Sequence, residues 1–116
     1  MARTQQHGKE AEQTAQQHLQ RQGLTLVSRN HSCRGGEVDL VMRDGDTLVF
    51  VEVRLRRNPR FGGALASVDW RKQRRLILAA QHYLQRHPWQ GPCRFDVVGL
   101  DASNRCQWIK NAFAVS

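Results

Sequence analysis

Two acidic residues stand where an unpaired charge is hardest to keep. Asp39 lies between Val38 and Leu40, and Glu52 lies within Phe50-Val51-Glu52-Val53, in the two most apolar stretches of a 116-residue chain. An ionised carboxylate inside such a strand is costly unless a cation or a metal ion sits beside it. Glu52 and Arg54 are two residues apart, so in a strand they share a face about 7 Å from each other. Two carboxylates on strands joined by a short turn can converge on one side of a sheet with that cation next to them. Such a layout suits Mg²⁺ (or Mn²⁺), which takes one or two protein carboxylates and completes its shell with water and phosphate oxygens. The ion acidifies water and neutralises charge on a scissile phosphate. The same residues also fit a purely structural arrangement, with Glu52 paired to Arg54 or another arginine and Asp39 capping the turn.

The elements that must position these groups are legible from periodicity. Ala11, Ala15 and Leu19 recur at helical spacing within a segment from about residue 4 to 22, and Gly23 is placed to cap it. Leu24 to Arg29 reads as a short strand, followed by a polar turn, Asn30 to Gly36. Glu37 to Arg43 alternates, with Val38, Leu40 and Met42 on one face and Glu37, Asp39 and Val41 on the other. Asp44-Gly45-Asp46 is a hairpin signal. Thr47 to Arg54 follows as a central strand, apolar enough for burial on both faces.

Leu55 to Ala66 reads as a basic, glycine-bearing loop. A second helix from about Val68 to His87 has Ser67 as a possible N-cap and Leu76, Ile77, Ala80, Tyr83 and Leu84 as its buried stripe; Pro88 ends it. Arg94 to Leu100 and Gln107 to Lys110 look like two last strands. The order α-β-β-β-α-β-β predicts an α/β (α+β) fold, a central mixed sheet flanked by helices, as one domain spanning residues 1–116.

Charge narrows the partner. Lys and Arg number 18 against 10 Asp and Glu, a formal net charge of +8, and Lys9, Lys72 and Lys110 are the only lysines. Arginine's planar fork binds phosphate bidentately, so this balance points to nucleic acid. Residues 54–75 hold Arg54, Arg56, Arg57, Arg60, Arg71, Lys72, Arg74 and Arg75 against the single acid Asp69. A loop and helix start of that kind can track a phosphodiester backbone. Phe61 and Trp70 can stack on unpaired bases or pack in the core. Cys33, Cys93 and Cys106 are widely spaced and the histidines show no ligand motif, so neither a disulfide framework nor zinc is expected. With no apolar run long enough to span a bilayer and no secretory h-region, a cytoplasmic protein without a membrane partner is expected.

Three segments carry a family resemblance. Gly36-Glu37-Val38-Asp39-Leu40-Val41, Val49-Phe50-Val51-Glu52-Val53-Arg54 and Arg94-Phe95-Asp96-Val97-Val98, with the closing Trp108-Ile109-Lys110-Asn111-Ala112-Phe113, resemble the uncharacterised bacterial YraN family across nearly the whole chain. That family in turn resembles the PD-(D/E)XK nuclease superfamily, most closely the archaeal Holliday-junction resolvases. The resemblance implies a restriction-endonuclease-like fold with Asp39 and Glu52 as the metal-binding acids and Glu12 as the acid of the first helix. Glu37, on the strand face of Asp39, is then an extra ligand or an anchor for the Gly35-Gly36 turn. Asp96 is expected to pair with an arginine.

One departure stands out. The superfamily's signature cation is lysine, and this chain has Arg54, which stays protonated and can only stabilise charge or hold phosphate; Lys72 is a candidate to substitute. The expectation is thus a Mg²⁺-dependent endonuclease acting on branched or structured DNA, with a homodimer plausible because junction resolution needs two active sites. The alternatives are a nucleic-acid-binding module that keeps the fold without the catalysis, and a basic adaptor for a protein or ribosomal RNA whose carboxylates are structural.

Overall fold

The computed structural model describes residues 2–55 and 68–114, the side chains from Gly8 onward. Its elements follow the expected order: α1 (Ala2–Arg21), β1 (Thr25–Cys33), β2 (Gly36–Asp44), β3 (Thr47–Leu55), α2 (Trp70–Arg86), β4 (Cys93–Leu100) and β5 (Cys106–Phe113). The strands form one mixed sheet in the order β1-β2-β3-β4-β5. All neighbours are antiparallel except β3 and β4, whose parallel pairing needs a long crossover. That crossover carries α2.

Each helix covers one face. Ala15 and Leu19 of α1 pack on Leu40, Met42, Val49, Val51 and Val98. Leu76, Ala79, Ala80 and Tyr83 of α2 pack on Val38, Val41, Leu48, Phe50, Phe95 and Val97. Leu48 to Val51 are buried on both faces, as the apolar run of β3 predicted. In α2, Ala79 is fully buried, while Ile77 and Leu84 of the expected stripe are only half-buried.

Local signals account for the ends. Gly23 takes φ 102°, and Leu24 donates its N–H back to the Leu19 carbonyl at 3.1 Å, closing α1. Gly45 takes φ 61° in the two-residue turn between β2 and β3, where such a value is required. The N-cap of α2 is Asp69, whose carboxylate accepts from the Lys72 N–H at 3.0 Å, so the helix starts at Trp70 and not Val68. Ser67, with the rest of the loop beyond Leu55, lies outside the described residues.

Three expectations are corrected. β1 continues to Cys33, so Asn30 to Cys33 belong to a strand: they pair with β2 down to Cys33↔Gly36, and ladder bonds outweigh their turn-like composition. β5 likewise runs on to Phe113. Finally, Val38 does not share a face with Leu40 and Met42, since it packs under α2 and they pack under α1. The strand turns over at Asp39. There its pairing with β3 has ended, the last partners being Leu40↔Val51, and Asn30 on β1 takes a left-handed φ of 51°.

Two further contacts hold the layers in place. A Cβ on Gly36 would stand 2.4 Å from the Arg75 carbonyl oxygen and 2.9 Å from the Ala79 nitrogen. The backbone of α2 therefore rests on β2 at the one residue without a side chain. At the other end of the sheet Asp96, 1% exposed, accepts from Arg94 Nε, Trp108 Nε1 and the Asn111 N–H. Asn111 sits in a bulge of β5 with φ 51°, and Asp96 fills the gap the bulge leaves. Arg94 also bridges to Asp44 at 2.9 Å, tying β4 to β2 across β3. Asp96 pairs with an arginine as expected, and its anchorage by three residues explains two of the sequence motifs as structural.

These contacts set measurable stabilities. Gly36→Ala is expected to cost about 1–3 kcal/mol by overpacking against the α2 backbone, read from the midpoint of urea unfolding. Asp96→Ala leaves the Trp108 indole and the Asn111 N–H without their acceptor and Arg94 with Asp44 alone, and is expected to cost about 2–4 kcal/mol in the same assay. A pH dependence follows from His31, whose Nε2 stands 2.9 Å from His82 Nδ1, while Arg86 Nε donates to His82 Nε2. Burial, then the charges of His82, His87 and Arg86, lowers the His31 pKa below 6.5. At this site the folded chain then binds fewer protons than the unfolded one, so the His31 contribution to stability falls as pH drops through 6.5. Glu12 and Glu52, whose folded pKa values are raised, work in the opposite direction over the same range. The effect is therefore read by difference: in thermal melts between about pH 7.5 and 5, the stability of the wild type relative to His31→Gln should fall as the pH drops.

Candidate functional site

The break between β2 and β3 creates the site. Where their ladder stops, the freed Val53 N–H is satisfied by the Asp39 carboxylate, with Oδ2 accepting at 2.8 Å. Asp39 thus props the two strands apart, and neither end of this contact is a turn cap. The gap opens into a cleft of about 600 Å³. One wall is α1, through Gly8, Ala11 and Glu12. The floor is the splayed strand pair, through Glu37, Asp39, Glu52, Val53, Arg54 and Leu55, and the other wall is the first turns of α2, through Lys72, Arg75 and Leu76.

All five acids and cations expected at the chemical centre meet here: Glu12, Glu37, Asp39, Glu52 and Arg54, joined by Lys72 and Arg75. Arg71 and Arg74 are exposed on α2 outside the cleft lining. Arg56, Arg57, Arg60 and Phe61 lie outside the described residues. Trp70 is exposed and not part of the core.

The acids crowd one another. The Glu12 carboxyl is pushed up to about 7, first by burial and then by the charge of Asp39, with Glu37 adding to it and a hydrogen bond from Asn30 working the other way. Glu52 is raised further, by burial, by a hydrogen bond with Asp39 and by its charge, against the partial relief of Arg54 and Lys72. Asp39 is the common neighbour of both. At neutral pH this cluster holds protons that isolated carboxylates release.

Among the described residues no three acidic, histidine or cysteine side chains already stand at metal-ligand spacing. The donor set nevertheless has the chemistry of a hard-cation site: oxygen ligands only, partly desolvated, and short of positive charge at their centre. A divalent ion would supply that charge and release the protons held by Glu12 and Glu52.

A second, smaller hollow of about 310 Å³ continues the cleft past Glu12 and Glu37 to Lys9 and Asn30. Neither Lys9 nor Asn30 was singled out in the sequence. The signal for Asn30 was its residue type, since Asn tolerates the left-handed backbone it adopts opposite Asp39. No helix among the described residues is long and apolar enough to cross a membrane.

Sequence comparison assigns the chain. The pattern of the family described as "Uncharacterised protein family UPF0102" matches residues 11–100, which take in every residue from Glu12 to Arg75 that lines the cleft. A UPF0102 protein of Stutzerimonas stutzeri is 57% identical over 118 residues, 97% of this chain and 98% of that one. Others from Pseudomonas fluorescens (56% over 111 residues, 93% and 92%) and Alcanivorax borkumensis (54% over 112 residues, 91% and 90%) are similar throughout. The chain that builds this acid-centred cleft belongs to the uncharacterised family UPF0102, the YraN family its motifs resemble.

Proposed function

We propose that the protein is a metal-dependent endonuclease that hydrolyses a phosphodiester bond in branched or otherwise structured DNA. The single observation that carries this reading is the meeting of Glu12, Asp39 and Glu52 in one cleft whose walls bring Arg54, Lys72 and Arg75 beside them. A cleft with acids alone would repel a nucleic acid, and one with cations alone would only bind it.

Asp39, Glu52 and Glu12 are the residues to hold Mg²⁺ or Mn²⁺. The bound ion supplies Lewis acidity toward the phosphate and makes water a stronger nucleophile near neutral pH. Asp39 is fixed for its task by the Val53 amide, so its carboxylate does not have to be ordered when the ion enters. Arg54 keeps its charge throughout and is suited to a non-bridging phosphate oxygen. Lys72, on α2, reaches the same cleft with a compact ammonium that can approach as a point charge. The structured-DNA substrate and the order of events are part of the proposal.

A second reading has one observation in its favour. Arg54 stands where the resembled nucleases carry lysine, and unless Lys72 takes that lysine's place the cleft would bind without cutting. Both readings are separated by incubating the protein with four-way junction, flap, duplex and single-stranded DNA, and with RNA, in Mg²⁺, Mn²⁺ or EDTA. Metal-dependent cleavage that Asp39→Ala and Glu52→Ala each reduce by about 100-fold or more, roughly the effect of removing an electrostatic stabiliser of the transition state, supports the nuclease. Salt-sensitive binding with no cleavage in any metal, unchanged or tightened by Asp39→Ala, leaves the binding module.

A further inference from the structure

Three tryptophans are present, and two of them are fully employed. Trp89 donates its Nε1–H to the Pro92 carbonyl, lies under the Arg43 guanidinium and packs against the α2 side of the core. Trp108 donates to Asp96, lies under Lys110 and packs against the α1 side. Trp70 is different. It opens α2 with 65% of its surface in water, and among the described residues its indole N–H has no hydrogen-bond partner. Its one neighbour of note is the Arg71 guanidinium, 5.9 Å from the ring centroid.

Cations crowd the turns that follow it. The first six residues of α2 include Arg71, Lys72, Arg74 and Arg75, with no acid in the first turn. The N-terminal end of a helix carries partial positive charge, so four cations there repel both the helix and one another, with the Asp69 cap as the one nearby acid on the helix. An anion resolves that repulsion. An aromatic ring at the edge of such a cluster, with a cation beside it, is the pairing that single-stranded nucleic acids use: phosphates on the cations and a base on the ring. Lys72 and Arg75 line the cleft, and Trp70 stands two and five residues before them at the end of the same helix, just outside that lining.

We infer that Trp70 is a stacking platform for an unpaired nucleobase, and hence that the substrate of this cleft carries unpaired nucleotides beside the phosphate to be cut. The inference rests on reading the cleft as a nuclease site. In continuous duplex every base face is already covered by its neighbours, so the ring has nothing to stack on. A strand leaving a junction, flap or tail offers a free face. Trp70 is therefore a specificity-determining residue that selects branched or single-stranded DNA over duplex, while the acids act on the backbone of whichever strand is delivered.

The test is binding in EDTA, where cleavage is absent, with fluorescently labelled single-stranded, duplex and tailed-duplex oligonucleotides. Trp70→Ala is expected to weaken single-strand and tail binding by about tenfold, within the ~1–3 kcal/mol that one stacked base contributes. Trp70→Phe, which keeps a stacking face, should stay within about threefold, and duplex binding should change by less than about twofold in either variant. Intrinsic fluorescence should be quenched when the wild-type protein binds a single strand, and most of that quenching should vanish in Trp70→Phe. Single-strand affinity unchanged in Trp70→Ala, or an equal loss on duplex, overturns the inference. A wild-type protein that binds no nucleic acid at low salt overturns both it and the nuclease reading. Selective loss in Trp70→Ala with no metal-dependent cleavage by the wild-type protein keeps the platform and rejects the nuclease.

Discussion

The cleft depends on a side chain that is not there. Gly36 lets the α2 backbone settle on β2 at a distance no Cβ permits, and this contact fixes how far Lys72 and Arg75 reach over the acids. Because Gly36 opens β2 and Asp39 lies three residues on, the same short stretch seats the helix and supplies the central carboxylate. Asp39 in turn takes the Val53 amide that the ladder abandons. Packing at one residue and hydrogen bonding at the other therefore set the width of the gap from opposite sides of the same strand.

The gap has a cost that the protein does not hide. Four carboxyl groups share one partly desolvated space, and two of them, Glu12 and Glu52, hold on to their protons well above the usual carboxylate range. Nearby cations relieve this only in part. Structural buried acids in the same chain look different: Asp96 is bound by a guanidinium, an indole and a backbone amide. One acid in this protein is fully satisfied and another group of acids is not. Unrelieved crowding of that kind is retained where a ligand completes the charge balance.

Much of this was legible in the residues. The alternation and turn chemistry of Glu37 to Arg54 placed a hairpin, and the element order gave a mixed sheet flanked by helices. Asp39 and Glu52 stood out because charge inside apolar strands is expensive. The overturn of β2 at Asp39 was not legible, because period-two patterning assumes an unbroken ladder and the break depends on Asn30 and Val53, neither remarkable alone. Glu12 came only from resemblance, since on a helical wheel it is one more solvent-facing charge. Asn30 to Cys33 were misread as a turn because their composition is polar, whereas an edge strand facing water has no need to be apolar. The cap of α2 was displaced by two residues because Ser67 and Asp69 are both good caps, and only the fold chooses between them.

The parallel pairing of β3 with β4 has one more effect. β3 is the most apolar strand of the sheet, with Leu48 to Val51 buried on both faces. Strands β1, β2 and β3 are contiguous in the chain, whereas β4 arrives only after the crossover through α2. Until it docks, β3 is an edge: a row of unpaired amides and carbonyls along a flat hydrophobic strand, the kind of surface to which a second chain adds itself. The finished sheet instead presents β1 and β5 at its margins, β1 largely polar and each pairing broken by an irregularity in register. The helix that carries the cations to the cleft therefore also brings the strand that protects the chain from self-association.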